Sequence, residues 1–224
     1  MKNFLWFAWP WVGLLLAFVM LWLMFRTKIF RGKSCSRFKD GAWYAWLPMP
    51  AYLLHQFEEY ACHVTNGQFD IVAQFYTGNL PFPTDGLPLT HFPLVNIALA
   101  WFGAPLAALL YRKNPLIGFS YFGFMLLNGV THLAQGLNPA TNPGLITAVF
   151  IFVPSAIYMI VLSLREKILS ARGVALTLAS GILAHVFLFV VYFLPPLGAG
   201  AVFAGDIICG FAPIIFARLA VKFL

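Results

Sequence analysis

Apolar residues along the chain gather into seven long runs separated by short polar or proline-rich connections. The runs extend from Phe4 to Phe25, Ala42 to Cys62, His91 to Tyr111, Pro115 to Gly136, Pro143 to Leu164, Gly173 to Leu194 and Ala201 to Ala217. Each approaches the roughly 20 residues a helix needs to cross a bilayer, the last being short. The pattern predicts an all-α fold, an integral membrane bundle of seven transmembrane helices forming a single domain over residues 1–224. Met1-Lys2-Asn3 leads into the first run without a small-residue cleavage site, so that run is expected as a retained helix and not a signal peptide.

Basic residues set the expected orientation. Arg26, Lys28, Arg31, Lys33, Arg37 and Lys39 crowd the first connection, and Arg112-Lys113, Arg165 with Lys167 and Arg172, and Arg218 with Lys222 fall on the same side. The connections on the other side carry no lysine or arginine, which places the N-terminus outside and the C-terminus in the cytoplasm. The net charge of +7 is therefore a topology signal and not a nucleic-acid-binding surface. Composition agrees: 61% of the chain is hydrophobic and 9% charged, unlike a soluble domain. Trp6, Trp9 and Trp11 near one end of the first run, with Trp22, Trp43 and Trp46 near the opposite face, fit aromatic belts as well as ordinary helix contacts.

One connection is long. From Val64 to Thr90 the outer loop carries Phe69, Ile71, Val72, Phe75, Tyr76 and Phe82 among Asn, Gly and Pro, too apolar for a solvated linker. It is expected on the outer surface, as a cap with a short interfacial helix or as plain surface packing. The three cysteines, Cys35, Cys62 and Cys209, have no CxxC spacing and indicate neither a disulfide framework nor a thiolate metal site; Cys62 is expected to be a small packing residue.

Against this apolar background the second run contains His55-Gln56-Phe57-Glu58-Glu59-Tyr60-Ala61-Cys62-His63. A charged side chain near the bilayer centre costs roughly 2.5–3.5 kcal/mol, so two glutamates and two histidines imply a protein-lined polar site. At about 100° per residue, Glu58, Glu59 and His63 stand at about −60°, +40° and +80° from His55, on one broad face. The expected topology puts the other polar residues at the same depth: His91 and Asn96 begin the third run, Asn128 and His132 end the fourth, and His185 and Asp206 lie in the outer halves of the sixth and seventh. Such convergence predicts a cavity open toward the outer leaflet.

Imidazole and carboxylate together suit zinc or non-haem iron, and a catalytic zinc needs only three protein ligands. His55 and Glu59, one turn apart, are expected to chelate a divalent metal ion, with His132 as third ligand and His63 or His91 completing the sphere. Glu58 is the expected general base, and Asn128 is expected to orient a ligand or bind substrate. Plainer roles compete: interhelical hydrogen bonds for His185 and Asn96, interfacial hydrogen bonding for His63 and His91, a helix cap for Asp206.

The run His55-Gln56-Phe57-Glu58-Glu59 resembles the motif that gives the HXXEE family its name, a set of small polytopic bacterial membrane proteins. Asn128-Gly129-Val130-Thr131-His132 is similar to that family's second polar element. The resemblance implies a metal-dependent enzyme of the bacterial inner membrane. Membrane fatty-acid hydroxylases differ in using about eight histidines in HxxxH and HxxHH boxes, and ceramidase-like seven-span hydrolases in carrying paired histidines in the last span. The expected activity is hydrolysis of a membrane lipid or other hydrophobic small-molecule substrate by metal-activated water, with metal-assisted oxidation as the other chemistry this ligand set permits. Two alternatives stand beside it: a metal-free acid-catalysed isomerase or terpene-cyclase-like enzyme using Glu58 or Glu59 with Asp206, and a proton-coupled transporter.

Overall fold

The computed structural model describes residues 2–32, 36–62, 64–65, 68–69 and 86–223. Eight helices organise these residues: α1 (Lys2–Arg26), α2 (Gly41–Tyr44), α3 (Pro48–Tyr60), α4 (His91–Leu110), α5 (Pro115–Gln135), α6 (Leu145–Arg165), α7 (Ala171–Val191) and α8 (Ala199–Ala220). Six of them, α1 and α4 to α8, are long and apolar enough to cross a membrane. The strand pairing among the described residues is a two-residue antiparallel hairpin, β1 (Val64–Thr65) with β2 (Gln68–Phe69). That hairpin is the described beginning of the expected cap. Residues 66–67 and 70–85, where an interfacial helix was expected, lie outside the described residues, as do Cys35 and His63.

The second predicted span is not one helix. It breaks after α2 and resumes at Pro48, leaving α3 with 13 residues, about 20 Å of helix and less than the hydrocarbon thickness. Pro48 and Pro50 explain the restart, because proline lacks the N–H an interior turn would use and is tolerated in a first turn. Asp40 starts α2 by accepting from the Ala42 and Trp43 amides at 3.1 and 3.4 Å. Proline also shapes α4 and α6. Each widens into a π-helical stretch, Ala98–Gly103 and Ala148–Phe152, two residues ahead of Pro105 and Pro154. The carbonyls that those prolines would strike, of Trp101 and Phe150, lie inside the widened turns. The bulge in α6 puts the Phe152 ring 4.5 Å from the imidazole of His55.

The bundle is apolar outside as well as inside. On α1, Gly13, Ala17, Met20 and Met24 form the buried stripe, while Trp11, Leu15, Phe18 and Trp22 are exposed. Holding each such side chain in water costs about 1.5–3 kcal/mol, and dozens face outward, so hydrocarbon is the solvent of this surface. Where lipid surrounds the helices, association depends on close fit. The α5–α7 contact shows it: a Cβ on Gly181 would collide with the backbone of Gly123 and Phe124. The interior between α3, α5 and α6 holds Tyr52, Phe122, Phe124, Met125 and Phe152, and the polar site lies at one end of this packing.

Candidate metal centre

Three ligand-type side chains converge at that end. His55 and Glu59 project one turn apart from α3, and His132 comes from the last turn of α5. Their donor atoms lie within 4.8 Å of one another, and all three residues are buried. Glu59 Oε1 is shared, 3.3 Å from His55 Nε2 and 3.4 Å from His132 Nε2. The first approach does not form a hydrogen bond: His55 Nε2 is buried without a hydrogen-bond partner.

The far side of each ring explains why. His55 Nδ1 lies 2.7 Å from the hydroxyl of Thr147. That hydroxyl has one proton, and it points at acceptors, Glu58 Oε2 at 2.6 Å and the Gly144 carbonyl at 3.1 Å. Toward His55 it can only accept, so Nδ1 carries the imidazole proton and Nε2 presents a lone pair. His132 is held the same way by Asn142. The Asn142 amide nitrogen donates to the carbonyls of His132 and Gly136, both at 2.7 Å, which fixes Oδ1 as the acceptor for His132 Nδ1 at 2.8 Å. When both imidazoles are neutral, two lone pairs and a carboxylate oxygen thus meet with no proton between them.

Such a meeting is unfavourable unless a cation sits there. Tetrahedral zinc with bonds of roughly 2.0–2.1 Å has ligand atoms about 3.3–3.4 Å apart, the spacing found from Glu59 Oε1 to each histidine. The residues fit the ion, and imidazoles whose other nitrogen is held by an acceptor are the usual arrangement around metals.

A loop and a helix start build the braces. Gly136, at φ +115, ends α5, and the chain returns through Asn142 to Gly144, at φ +94, which opens α6. Gly144 has no side chain to cap α6, and Glu58 supplies the acceptor from α3: Oε1 and Oε2 take the amides of Ile146 and Thr147, each at 2.8 Å. A carboxylate at a helix N-terminus is favoured by the helix dipole. A Cβ on Gly144 would meet His55 Cε1 at 2.6 Å and His132 Cε1 at 2.8 Å, so this glycine forms one wall of the site.

Several expectations change. With both oxygens engaged by α6, Glu58 has the environment of a brace and not of a general base. His91 is not brought to the cluster; its Nδ1 pairs with Asp206 Oδ1 at 2.6 Å, a buried link between α4 and α8. Asp206 lies well inside α8, so it is not a helix cap either. Asn128 does not orient His132, since Asn142 does, and its Oδ1 is buried without a partner. Asn96 makes the expected interhelical bond, donating to the Tyr60 hydroxyl at 3.1 Å. His185 does not; its Nδ1 has no partner and its ring packs 4.6 Å from that of Phe124. Cys62, just beyond α3, is exposed and not a buried packing residue. Thr147, Asn142 and Gly144 were not singled out from the sequence. The run Asn138-Pro139-Ala140-Thr141-Asn142-Pro143-Gly144, only six residues beyond His132, is a turn signal that returns the chain toward that histidine.

Apolar helices enclosing a buried His-Glu-His cluster define an integral membrane protein with the donor set of a metal-binding site. Residues 46–159, just over half of the chain, match the family model described as "Protein of unknown function with HXXEE motif", and the protein belongs to that family. The matched region contains all three ligand-type residues and all their braces. No curated protein and no solved structure matches the chain.

Replacing Asn142 with leucine is expected to weaken metal binding about 10- to 100-fold without removing a ligand, because the tautomer and ring angle of His132 are no longer set. Competition against a chromophoric chelator measures this; unchanged affinity would mean that Asn142 serves only the loop. Glu58→Gln is expected to leave metal affinity within a few-fold of wild type and to lower stability by about 1–3 kcal/mol, through weaker hydrogen bonds at the α6 start. Thermal unfolding beside metal titration separates this from a ligand role, in which affinity falls first.

Proposed function

We propose that this protein is a metal-dependent membrane hydrolase acting on a hydrophobic substrate that enters from the lipid. His55, Glu59 and His132 would hold a divalent ion, with zinc favoured over iron by the small donor set of two imidazoles and one carboxylate. When bound, the ion supplies an activated water and polarises the bond to be cleaved. The observation that carries the proposal is the convergence of two Nε2 atoms on one Glu59 oxygen, with each imidazole held at Nδ1 by an acceptor. Thr147 and Asn142 keep both imidazoles in the donating tautomer, Glu58 anchors the helix that carries Thr147, and Gly144 closes one wall against water.

The same reading takes the chain across the membrane seven times, with the paired segment α2–α3 as the second crossing, the N-terminus outside and the C-terminus in the cytoplasm. The basic clusters after α1, α4, α6 and α8 support it. The metal site then faces the outer half of a bacterial inner membrane. A cyclase-like pairing of Asp206 with Glu58 or Glu59 has no support in the geometry, because Asp206 is held by His91.

Incubation of zinc-loaded protein with bacterial lipid extract in ¹⁸O-labelled water tests the chemistry. The expected product carries one solvent-derived ¹⁸O, is lost on chelation and returns with zinc. Products labelled instead from ¹⁸O₂ would replace hydrolysis by oxidation.

A further inference from the structure

Beyond the ligands and their braces, the buried polar atoms without a hydrogen-bond partner include Tyr52 Oη, Asn128 Oδ1 and His185 Nδ1. They come from three helices, and two of them, Tyr52 and His185, flank one ring. Phe124 lies 6.0 Å from the Tyr52 ring and 4.6 Å from the His185 ring, centroid to centroid. Asn128 is the next residue on the same face of α5, between Phe124 and the ligand His132. Tyr52 is one turn before the ligand His55 on α3, with ring centroids 6.4 Å apart, and Phe152 packs against both. The close α5–α7 contact at Gly123 and Gly181 holds His185 one turn further along α7.

Lipid cannot satisfy such atoms, and a bundle built only to pack would place phenylalanine and leucine there. We propose that Tyr52, Asn128 and His185 form a subsite for the polar group of the substrate, a neutral amide or alcohol on a hydrophobic body, about one helical turn from the metal ligands. This rests on the metal-dependent reading above. Asn128 Oδ1 accepts, the Tyr52 hydroxyl gives or receives, and His185 Nδ1 does either according to tautomer. The set matches a group with an N–H or O–H to donate and an oxygen to receive one. Neither α3 nor α5 contains a lysine or arginine, and the one on α7, Arg172, is at its far end. These three helices therefore bring no fixed positive charge of the kind a carboxylate or phosphate head requires to the three side chains.

Calorimetric titration with decanamide and decanoate, in metal-free and Co(II)-loaded detergent-solubilised protein, tests the subsite. Wild type is expected to bind decanamide in both forms and more tightly than decanoate. Tyr52→Phe, Asn128→Leu and His185→Phe are each expected to weaken decanamide about ten-fold, leave Co(II) affinity unchanged and keep or raise the unfolding temperature, because an unpartnered polar atom gives way to an apolar one. Unaltered decanamide affinity in all three variants overturns the proposal, as does preference for decanoate. A lowered unfolding temperature with unaltered binding overturns it too, showing groups that serve packing or internal water. If wild type binds no Co(II) while the decanamide losses persist, the metal reading fails and the subsite stands.

Discussion

Glu59→Gln protein is expected to bind zinc or cobalt on the order of 10²- to 10⁴-fold more weakly than wild type, the largest effect of any single isosteric change in the chain. The substitution keeps the shape of the side chain and removes the one negative charge shared by His55 and His132. Breaking a buried charge interaction from one side costs about 3–5 kcal/mol, and each 1.4 kcal/mol is a factor of ten. Metal content after dialysis, followed by Co(II) titration, measures the loss. Wild-type affinity in the glutamine variant would remove Glu59 from the ligand set and with it the hydrolase reading. The adjacent glutamate is the internal control, because Glu58→Gln alters the α6 start and not the ion.

Gly144→Ala is expected to cost both stability and metal. At φ +94 an alanine carries backbone strain of about 1–3 kcal/mol. Its methyl group would also press on both imidazoles, at 2.6 and 2.8 Å from their Cε1 atoms, and on Glu59 Cγ at 3.0 Å, adding overpacking of about 1–3 kcal/mol. A lowered unfolding temperature and displaced ligands follow together. Gly136→Ala separates the two causes: its φ is +115, yet nothing lies within 4 Å of the added methyl. That variant is expected to lose stability and retain metal affinity. Equal metal losses in the two variants would show that strain in the loop, and not contact with the rings, sets the site.

The His-Glu-His cluster was legible in the sequence because ionisable residues in an apolar run are costly. His55 and Glu59 could be paired by helical spacing alone, and His132 was the polar residue at matching depth. Depth is weak evidence of contact, however. His91, His185 and Asp206 are expected at the depth of the cluster and do not join it, since rotation about each helix axis decides which neighbour a side chain meets. The contacts of Glu58 were hidden for a related reason: its partner is the backbone of α6, and backbone amides leave no mark on a sequence. Thr147, Asn142 and Gly144 were hidden because they act on the ligands from behind, through a hydroxyl, an amide and the lack of a side chain. The broken second span was signalled by Pro48 and Pro50, which a hydropathy reading passes over.

The link between Glu58 and the start of α6 also bears on how the chain enters the membrane. Until Leu145–Thr147 emerge from the ribosome, the carboxylate of Glu58 has no amide to receive, and Glu59 waits for the imidazole of His132. The 13-residue α3 is too short and too polar to partition into lipid by itself. It must be retained by the insertion machinery, or lie at the surface, while α4, α5 and the first turn of α6 are made. The contact of Glu58 with α6 therefore closes only after the partners of Glu59, His55 and His132, are already in the chain.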